Sequence, residues 1–301
     1  MCDNAGSRTY AAPPVPLYHA DLHMHTDYDE RRGLWHGERP EVLAQAIVGS
    51  GIDLFAVTEH NRVTKKFFDV RDEVARLLEA EATRTGQSRE IEAVLGMELA
   101  VLFKTGRYHM GVLFRGTYDR MHLPDVPPTN QQMHELEVYR TAYQPICILN
   151  HPTIRRTDAV ITQDFLQTGL VDGVEILNGS VFLNDKGPDH TRTACEFFVD
   201  LRERQQDAYH DASTAERRSL PRIAPIGSSD AHKAYRVGCA TTEYAGEYPL
   251  DLFQAIRTGQ TKAVFRGGST HCDALSALGV RKLQKYLAWE RTAHDRSSDV
   301  A

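Results

Sequence analysis

Two histidines separated by one residue, His23 and His25, follow an apolar, strand-like run at residues 17–20. Side chains two positions apart on a strand point to the same side, so both imidazoles can converge on one metal ion. The pattern repeats, because four further strand-like runs each end in a side chain that could bind a metal. These runs end at His60, at Glu98, at His151 and at the pair Asp230 and His232. The sequence therefore predicts a metal centre assembled from several strands.

The elements that must position these side chains alternate along the chain. Strand-like runs are separated by helical stretches, among them a helix from Pro40 to Gly51 and another over residues 65–85. This alternation predicts a parallel sheet covered by helices, and 301 residues suffice for one closed barrel. Such barrels carry their chemistry at the C-terminal ends of the strands, where the candidate ligands lie. Histidines that are distant in sequence then become neighbours in space.

Five motifs occur in the order that is typical of the PHP family, the metal-dependent hydrolases named for polymerase and histidinol phosphatase. They are His23-Met-His25, Thr58-Glu-His60-Asn61, Gly96-Met-Glu98, His151-Pro152 and Ser229-Asp230-Ala-His232. The chain resembles this family from about residue 17 to residue 265. The resemblance implies an α/β fold, a distorted (β/α)7 TIM-like barrel. We assign this catalytic barrel to residues 17–268, between a mobile N-terminal arm (1–16) and a C-terminal helical extension (269–301).

The resemblance also implies two or three divalent metal ions. The first ion would be bound by His23, His25, Glu98 and Asp230. The second would be bound by Glu98, as a bridging ligand, with His109 and His151. The third would be bound by His60, His232 and an acid, either Glu30 or the adjacent Asp29. Imidazole and carboxylate ligands together suit zinc, manganese or iron, and the sequence does not choose among them.

The chain departs from the family pattern at two acidic positions. Glu30 stands where the family usually carries Asp, and its side chain is one methylene longer. Glu59 stands where Asp is typical, and we expect it to orient a ligand rather than to bind an ion. Both positions keep an oxygen donor, so we interpret the metal centre as functional.

The chemistry implied by such a centre is hydrolysis of a phosphate ester of a small metabolite or nucleotide. A metal lowers the pKa of its bound water to about 7, so that a metal-bound hydroxide can attack phosphorus. The predicted catalytic residues are Glu98, Asp230 and His232. The predicted substrate-binding residues are the cationic side chains Arg236, Lys186 and Arg192. The alternatives are hydrolysis of an amide or lactone bond and a non-catalytic role as a PHP-like binding protein.

Composition and charge limit the partners of this chain. A net charge of -6 argues against broad nucleic-acid binding, and no apolar run is long enough to cross a bilayer. The N-terminus lacks the charged-then-apolar layout of a signal peptide. The five cysteines are scattered, which is typical of a reducing compartment. We expect a cytoplasmic protein that acts on a small phosphorylated substrate, and the sequence leaves its oligomeric state open.

Overall fold

The structure is a computed structural model that describes most of the predicted barrel. The described residues are 15–29, 34–35, 38–103, 106–116, 118–124, 140–152, 170–182, 187–208 and 222–266. Nearly all of the predicted N-terminal arm and the whole C-terminal extension lie outside these residues. The candidate site residues Glu30 and Lys186 lie outside them as well.

Nine strands of the described residues form one sheet. They are β1 (Leu17–Met24), β4 (Leu54–His60), β5 (Glu92–Phe103), β6 (Gly106–Leu113), β7 (Ile146–Asn150), β8 (Gly173–Asn178), β9 (Ala224–Ser228), β10 (Ala240–Ala245) and β11 (Thr261–Phe265). Two short strands, β2 (Tyr28–Asp29) and β3 (Leu34–Trp35), pair with each other outside this sheet.

The sheet is mixed rather than parallel throughout. Its order is β11-β10-β1-β4-β5-β6-β7-β8-β9. The pairs β1–β4, β4–β5, β7–β8 and β8–β9 are parallel, whereas β6 and β10 run antiparallel to both of their neighbours. The connection from β5 to β6 is too short for a crossover helix, so these strands form an antiparallel hairpin. Strand β10 was not predicted, and a regular (β/α)7 barrel is not confirmed.

The two ends of the sheet approach each other, so the sheet is a nearly closed barrel. Thr261 Oγ1 on β11 donates a hydrogen bond of 2.7 Å to Pro225 O on β9. Thr242 Oγ1 on β10 donates one of 2.8 Å to Gly227 O on β9. The approach requires glycine at position 227, because a Cβ there would lie 2.5 Å from Thr241 O. The closure brings β9 beside the first strand of the chain.

The helices follow local signals in the sequence. Their described bounds are α1 (Pro40–Ser50), α2 (Lys66–Thr85), α3 (Gly179–Phe182), α4 (Gly187–Ala208) and α5 (Leu252–Arg257). Helix α1 begins at Pro40 and ends before Gly51, whose φ of 70° is the left-handed conformation that glycine adopts without strain. Helices α1 and α2 occupy the predicted residues almost completely. No helix among the described residues is long and apolar enough to cross a membrane.

Alternate residues of strand β4 pack into different apolar clusters. On β4, Phe55 and Val57 join a cluster with residues of α1 and α2, whereas Leu54 and Ala56 join one with residues of α5. This separation is the period of two expected for a strand that is buried on both faces. Full burial of a side chain such as Phe55 contributes about 1.5–3 kcal/mol, so both faces hold the barrel together.

Candidate metal centre

The described residues that were predicted as metal ligands lie together in one cluster. Adjacent strands deliver them to a common edge of the sheet, and the register of β4 on β5 places His60 opposite Glu98. The backbone of His25 is bonded to the segment after β9, because its N–H donates 2.9 Å to Ala231 O. The ligand atoms form overlapping groups in which all members lie within 4.8 Å of one another. Four of these groups consist only of predicted ligands: His23, His25 and Asp230; His23, Glu98 and His151; His60, Glu98 and His109; and His25, His60 and His232.

The first group has the dimensions of a metal coordination shell. His23 Nε2 lies 3.1 Å from His25 Nε2 and 3.4 Å from Asp230 Oδ1, and His25 Nε2 lies 3.4 Å from the same oxygen. Ligands about 2.0–2.1 Å from a tetrahedral ion are separated from one another by about 3.3 Å. The three side chains therefore fit a divalent ion without rearrangement.

Glu98 lies at the centre of the cluster, where its carboxylate contacts four histidines at 2.7–3.2 Å. Its Oε1 lies 3.0–3.2 Å from His23 Nε2, His109 Nδ1 and His151 Nε2. Its Oε2 lies 2.7 Å from His60 Nδ1, but the angles do not make this contact a hydrogen bond. A buried carboxylate oxygen without a hydrogen-bond donor is costly, and a cation at this position would compensate that cost.

The rim of the cluster is formed by stacked imidazoles. The ring centroid of His25 lies 4.4 Å from that of His60 and 4.3 Å from that of His232. His232 Nδ1 contacts the carboxylate of Asp27 at 2.9–3.0 Å, which leaves His232 Nε2 to face Asp230 Oδ1 at 3.4 Å. Asp27, His25 and Glu59 also form a group whose ligand atoms lie within 4.8 Å of one another.

The imidazoles keep the two central carboxylates ionised. Burial alone would raise the pKa of Glu98, but His23 and hydrogen bonds from His109 and His151 hold it well below its usual value. Burial would likewise raise the pKa of Asp230, and His23 is the first of the neighbours that hold it well below. Two buried negative charges lie at the centre of the cluster, which is the electrostatic environment that a divalent cation requires.

His232 and His25 differ in their protonation. Hydrogen bonds to Asp230 and to Asp27 raise the pKa of His232 to about 10. Burial lowers the pKa of His25, whose Nδ1 is buried without a hydrogen-bond partner. His25 is therefore a neutral imidazole, which is the form that binds metals.

Backbone strain is concentrated at this site. Four non-glycine residues of the cluster or its border have positive φ: Asp27 (52°), Asn61 (54°), His151 (28°) and Asp230 (49°). Such conformations cost of order 1–3 kcal/mol each and persist only where the surroundings enforce them. At Asn61 the enforcement is visible, because its N–H donates to Glu98 O and its Oδ1 accepts the N–H of Ala100.

The other predicted residues have various placements. Glu59 accepts hydrogen bonds from the N–H and the hydroxyl of Thr26, next to His25, in keeping with an orienting role. Arg236 follows the last motif in a 3-10 turn, and its guanidinium donates 3.0 Å to Ser180 Oγ. Arg192 is an exposed residue of α4 whose Nε lies 3.9 Å from Glu196. Of Asp29 only the backbone is described, in β2.

Sequence reasoning missed two carboxylates that contact histidines predicted to be ligands. Glu175 Oε1 accepts a hydrogen bond from His23 Nδ1 at 3.1 Å, and Asp27 contacts His232 as described above. For Glu175 the sequence carried a signal, because an acid in the middle of an apolar strand is buried and needs partners. For Asp27 there was only its nearness to His25, since Glu30 and Asp29 are equally acidic and lie in the same segment.

Comparisons with known proteins concern one segment of the sequence and the fold. Residues 212–261 match a family model described as PHP-associated, and comparison with curated proteins found no match. A two-domain protein from Bacteroides vulgatus, containing a predicted PHP-like metal-dependent phosphoesterase, is 18% identical with a TM-score of 0.50. That likeness covers 83% of this chain and 65% of the other, so this chain spans about two thirds of that protein's length.

Two further solved structures are similar at lower TM-scores. PsfC from Pseudomonas syringae is 17% identical with a TM-score of 0.49, over 89% of this chain and 98% of that one. An amidohydrolase from Chromobacterium violaceum is 14% identical with a TM-score of 0.44, over 82% and 97%. At these identities the likeness concerns the fold alone.

Proposed function

We propose that this chain is a PHP-family protein and acts as a metal-dependent phosphoesterase that hydrolyses a phosphate ester of a small metabolite or nucleotide. The observation that carries the proposal is the triangle of ligand atoms from His23, His25 and Asp230, with sides of 3.1, 3.4 and 3.4 Å. Beside it, Glu98 Oε1 lies 3.0 Å from His151 Nε2, whereas Glu98 Oε2 lies 2.7 Å from His60 Nδ1 without a hydrogen bond. A cluster built for hydrogen bonding alone would not leave a buried carboxylate oxygen unpaired.

In this proposal the ions occupy the groups that the ligand atoms form. His23, His25, Glu98 and Asp230 would hold the first, and Glu98 with His109 and His151 the second. A third would lie between His60 and His232, at the rim. Divalent ions bound there would lower the pKa of a water molecule and withdraw charge from phosphoryl oxygens.

Arg236 is the proposed anchor for the substrate phosphate. One of its guanidinium nitrogens donates to Ser180 Oγ, and that hydroxyl donates 2.5 Å to Asp230 O. The guanidinium is therefore tied to the segment that carries Asp230. Its Nε is buried without a hydrogen-bond partner, and a bound phosphate oxygen would supply the acceptor that this N–H lacks. A planar guanidinium binds phosphate oxygens with two parallel hydrogen bonds.

Asp27 and His232 are proposed to act together at the open side of the cluster. The side chain of His232 is 37% exposed, whereas those of His23 and His25 are almost fully buried. Asp27 holds the proton on His232 Nδ1 and thereby keeps Nε2 directed towards Asp230. Hydrolysis itself adds the oxygen of water to phosphorus and breaks the ester P–O bond, so that the alcohol leaves with a proton.

The first experiment measures phosphate release from a panel of phosphorylated metabolites and nucleotides, with Mn(II) and with a chelator. We expect release that the chelator abolishes and that His25→Ala reduces to background. His122→Ala is the matched control, because His122 is an 84% exposed histidine paired with Asp119. Release that is insensitive to both the chelator and His25→Ala would refute the proposal. Metal-dependent cleavage of amide or lactone substrates without phosphate release would favour the alternative bond.

A second experiment tests the phosphate anchor. Hydrogen bonds to charged groups contribute about 1.5–3 kcal/mol, so Arg236→Ala should lower kcat/KM for the best phosphate ester about 10- to 150-fold. Arg76→Ala, at an exposed residue of α2 that pairs with Glu73, should have little effect in the same assay. Equal losses in the two variants would contradict a specific role for Arg236.

A further inference from the structure

Glu175 is a buried carboxylate with four hydrogen-bond donors around it. It lies in the middle of β8 and is 1% exposed. Its Oε1 accepts hydrogen bonds from His23 Nδ1 at 3.1 Å and Ser228 Oγ at 2.6 Å. Its Oε2 accepts them from the N–H of His151 at 2.7 Å and from Asn178 Nδ2 at 3.0 Å. Both oxygens are fully used, and the partners come from four different strands or strand ends.

Three of these donors lead directly to proposed metal ligands. Because Glu175 accepts the proton on His23 Nδ1, His23 would bind an ion through Nε2, the atom that faces Glu98 in the cluster. The backbone of His151, at a φ of 28°, is held by the bond from its N–H. Asn178 Nδ2 donates both to Glu175 and, at 3.1 Å, to Asp230 Oδ2. One carboxylate thus supports His23, His151 and Asp230.

We propose that Glu175 is a positioning residue that sets the metal affinity of the whole cluster, although it lies in none of the ligand groups. The inference rests on the proposed function only in that it requires ions to bind at these ligands. Glu175 acts by fixing the tautomer of His23 and by holding the backbone and side chains that aim two other ligands. Partners of this kind change metal affinity by about 10- to 100-fold.

A neutral amide cannot replace the carboxylate, because all four partners are donors. If Gln at position 175 placed its NH2 group at the Oε2 position, it would oppose the N–H of His151, which cannot rotate away. If the Gln side chain placed its NH2 group at the Oε1 position, His23 Nδ1 would have to accept a hydrogen bond. The ring proton of His23 would then be on Nε2, the atom that faces Glu98 and Asp230. Either arrangement weakens a ligand of the cluster.

A purely structural role would give a different result, and Asp172 provides the comparison. Asp172 precedes β8, is 2% exposed and accepts a bond of 2.8 Å from the N–H of Cys147. It also accepts 2.8 Å from Arg140. Both acids are buried and hydrogen-bonded, but only Glu175 contacts ligands. Asp172→Asn should therefore lower stability without changing metal affinity.

The test measures Zn(II) binding to the metal-free full-length protein by competition with a chromophoric chelator. We expect Glu175→Gln to weaken binding about 10- to 100-fold and Asp172→Asn to change it less than about 2-fold. The visible absorption of bound Co(II), which reports coordination geometry, should change in Glu175→Gln and stay unchanged in Asp172→Asn. Unfolding in urea checks that each variant is folded. Should Glu175→Gln fail to fold, Ser228→Ala removes one of the four bonds, keeps the charge, and should weaken Zn(II) binding by a smaller factor.

The outcomes separate this inference from the proposed function. Wild-type protein that binds no Zn(II) would overturn both. Tight binding by the wild type, with Glu175→Gln within about 2-fold of it, would overturn only the role of Glu175. If Asp172→Asn weakened Zn(II) binding as much as Glu175→Gln, the loss would follow from lower stability in general. That result would also overturn the role of Glu175. If Glu175→Gln cannot be folded, the Ser228→Ala variant decides. Wild-type Zn(II) affinity and an unchanged Co(II) spectrum in that variant would overturn the role of Glu175.

Discussion

Replacing Asp21 with Ala should destabilise the protein by removing the attachment of the metal-binding segment to β1. Asp21 is completely buried in β1. Its Oδ1 accepts the N–H of Ser229 and its Oδ2 accepts the N–H of Gly238, both at 2.9 Å. These two N–H groups bound the segment that contains Asp230 and His232. Without the carboxylate, both would be buried and unpaired.

The magnitude follows from those two bonds. A buried N–H that loses its partner costs about 1–3 kcal/mol, so two cost about 2–6 kcal/mol. Part of this is recovered, because burial raises the pKa of Asp21 to about 6 and its ionised form is costly at neutral pH. We therefore expect the free energy of unfolding to fall by about 2–4 kcal/mol at pH 7, a large share of the 5–15 kcal/mol typical of a domain.

The assay is urea unfolding of the metal-free protein, followed by Zn(II) titration of each variant. Asp53→Ala is the matched control, because Asp53 accepts one backbone bond of 2.8 Å, from His19, towards the other end of β1. It should cost about 1 kcal/mol and leave Zn(II) affinity unchanged. Asp21→Ala should lose both stability and affinity. An unfolding free energy within about 0.5 kcal/mol of the wild type would refute the reasoning.

Three further predictions test other parts of the structure. Burial raises the pKa of Asp172, so its contribution to stability is complete below its unfolded-state pKa, near 4, and is lost as pH rises through the folded-state value. Wild type should therefore lose stability relative to Asp172→Asn as pH rises from about 4, and a pH-independent difference in urea unfolding would contradict this. Gly227→Ala should cost about 1–3 kcal/mol, because the new Cβ would meet the immobile carbonyl of Thr241, and an unchanged melting temperature would argue against the tight closure of β9 on β10. Asp27→Ala should lower the pKa of His232 in the metal-free protein from about 10, as followed by NMR, and an unaltered titration would mean that Asp27 does not hold its proton.

The sequence by itself predicted a metal centre, because the candidate ligands follow strand-like runs. The pair His23 and His25 and the later Glu98 could be proposed as ligands without a structure, since a strand directs alternate side chains to one side. The bounds of helix α1 could also be predicted, because Pro40 favours a helix start and Gly51 favours a helix end through their own backbone conformations. These signals are local, and a local signal needs no knowledge of what packs against it.

Only the tertiary structure decided the directions of the strands and the partners of the ligands. A period of two is the same for parallel and antiparallel pairing, so the sequence could not assign the direction of β10. The contact between His23 and Glu175 joins residues 152 positions apart, and that between His232 and Asp27 joins residues 205 positions apart. The pairing of these acids and histidines depends on the closure of the sheet, which brings β9 beside β1. That curvature is a property of the assembled sheet and is not encoded at any single position.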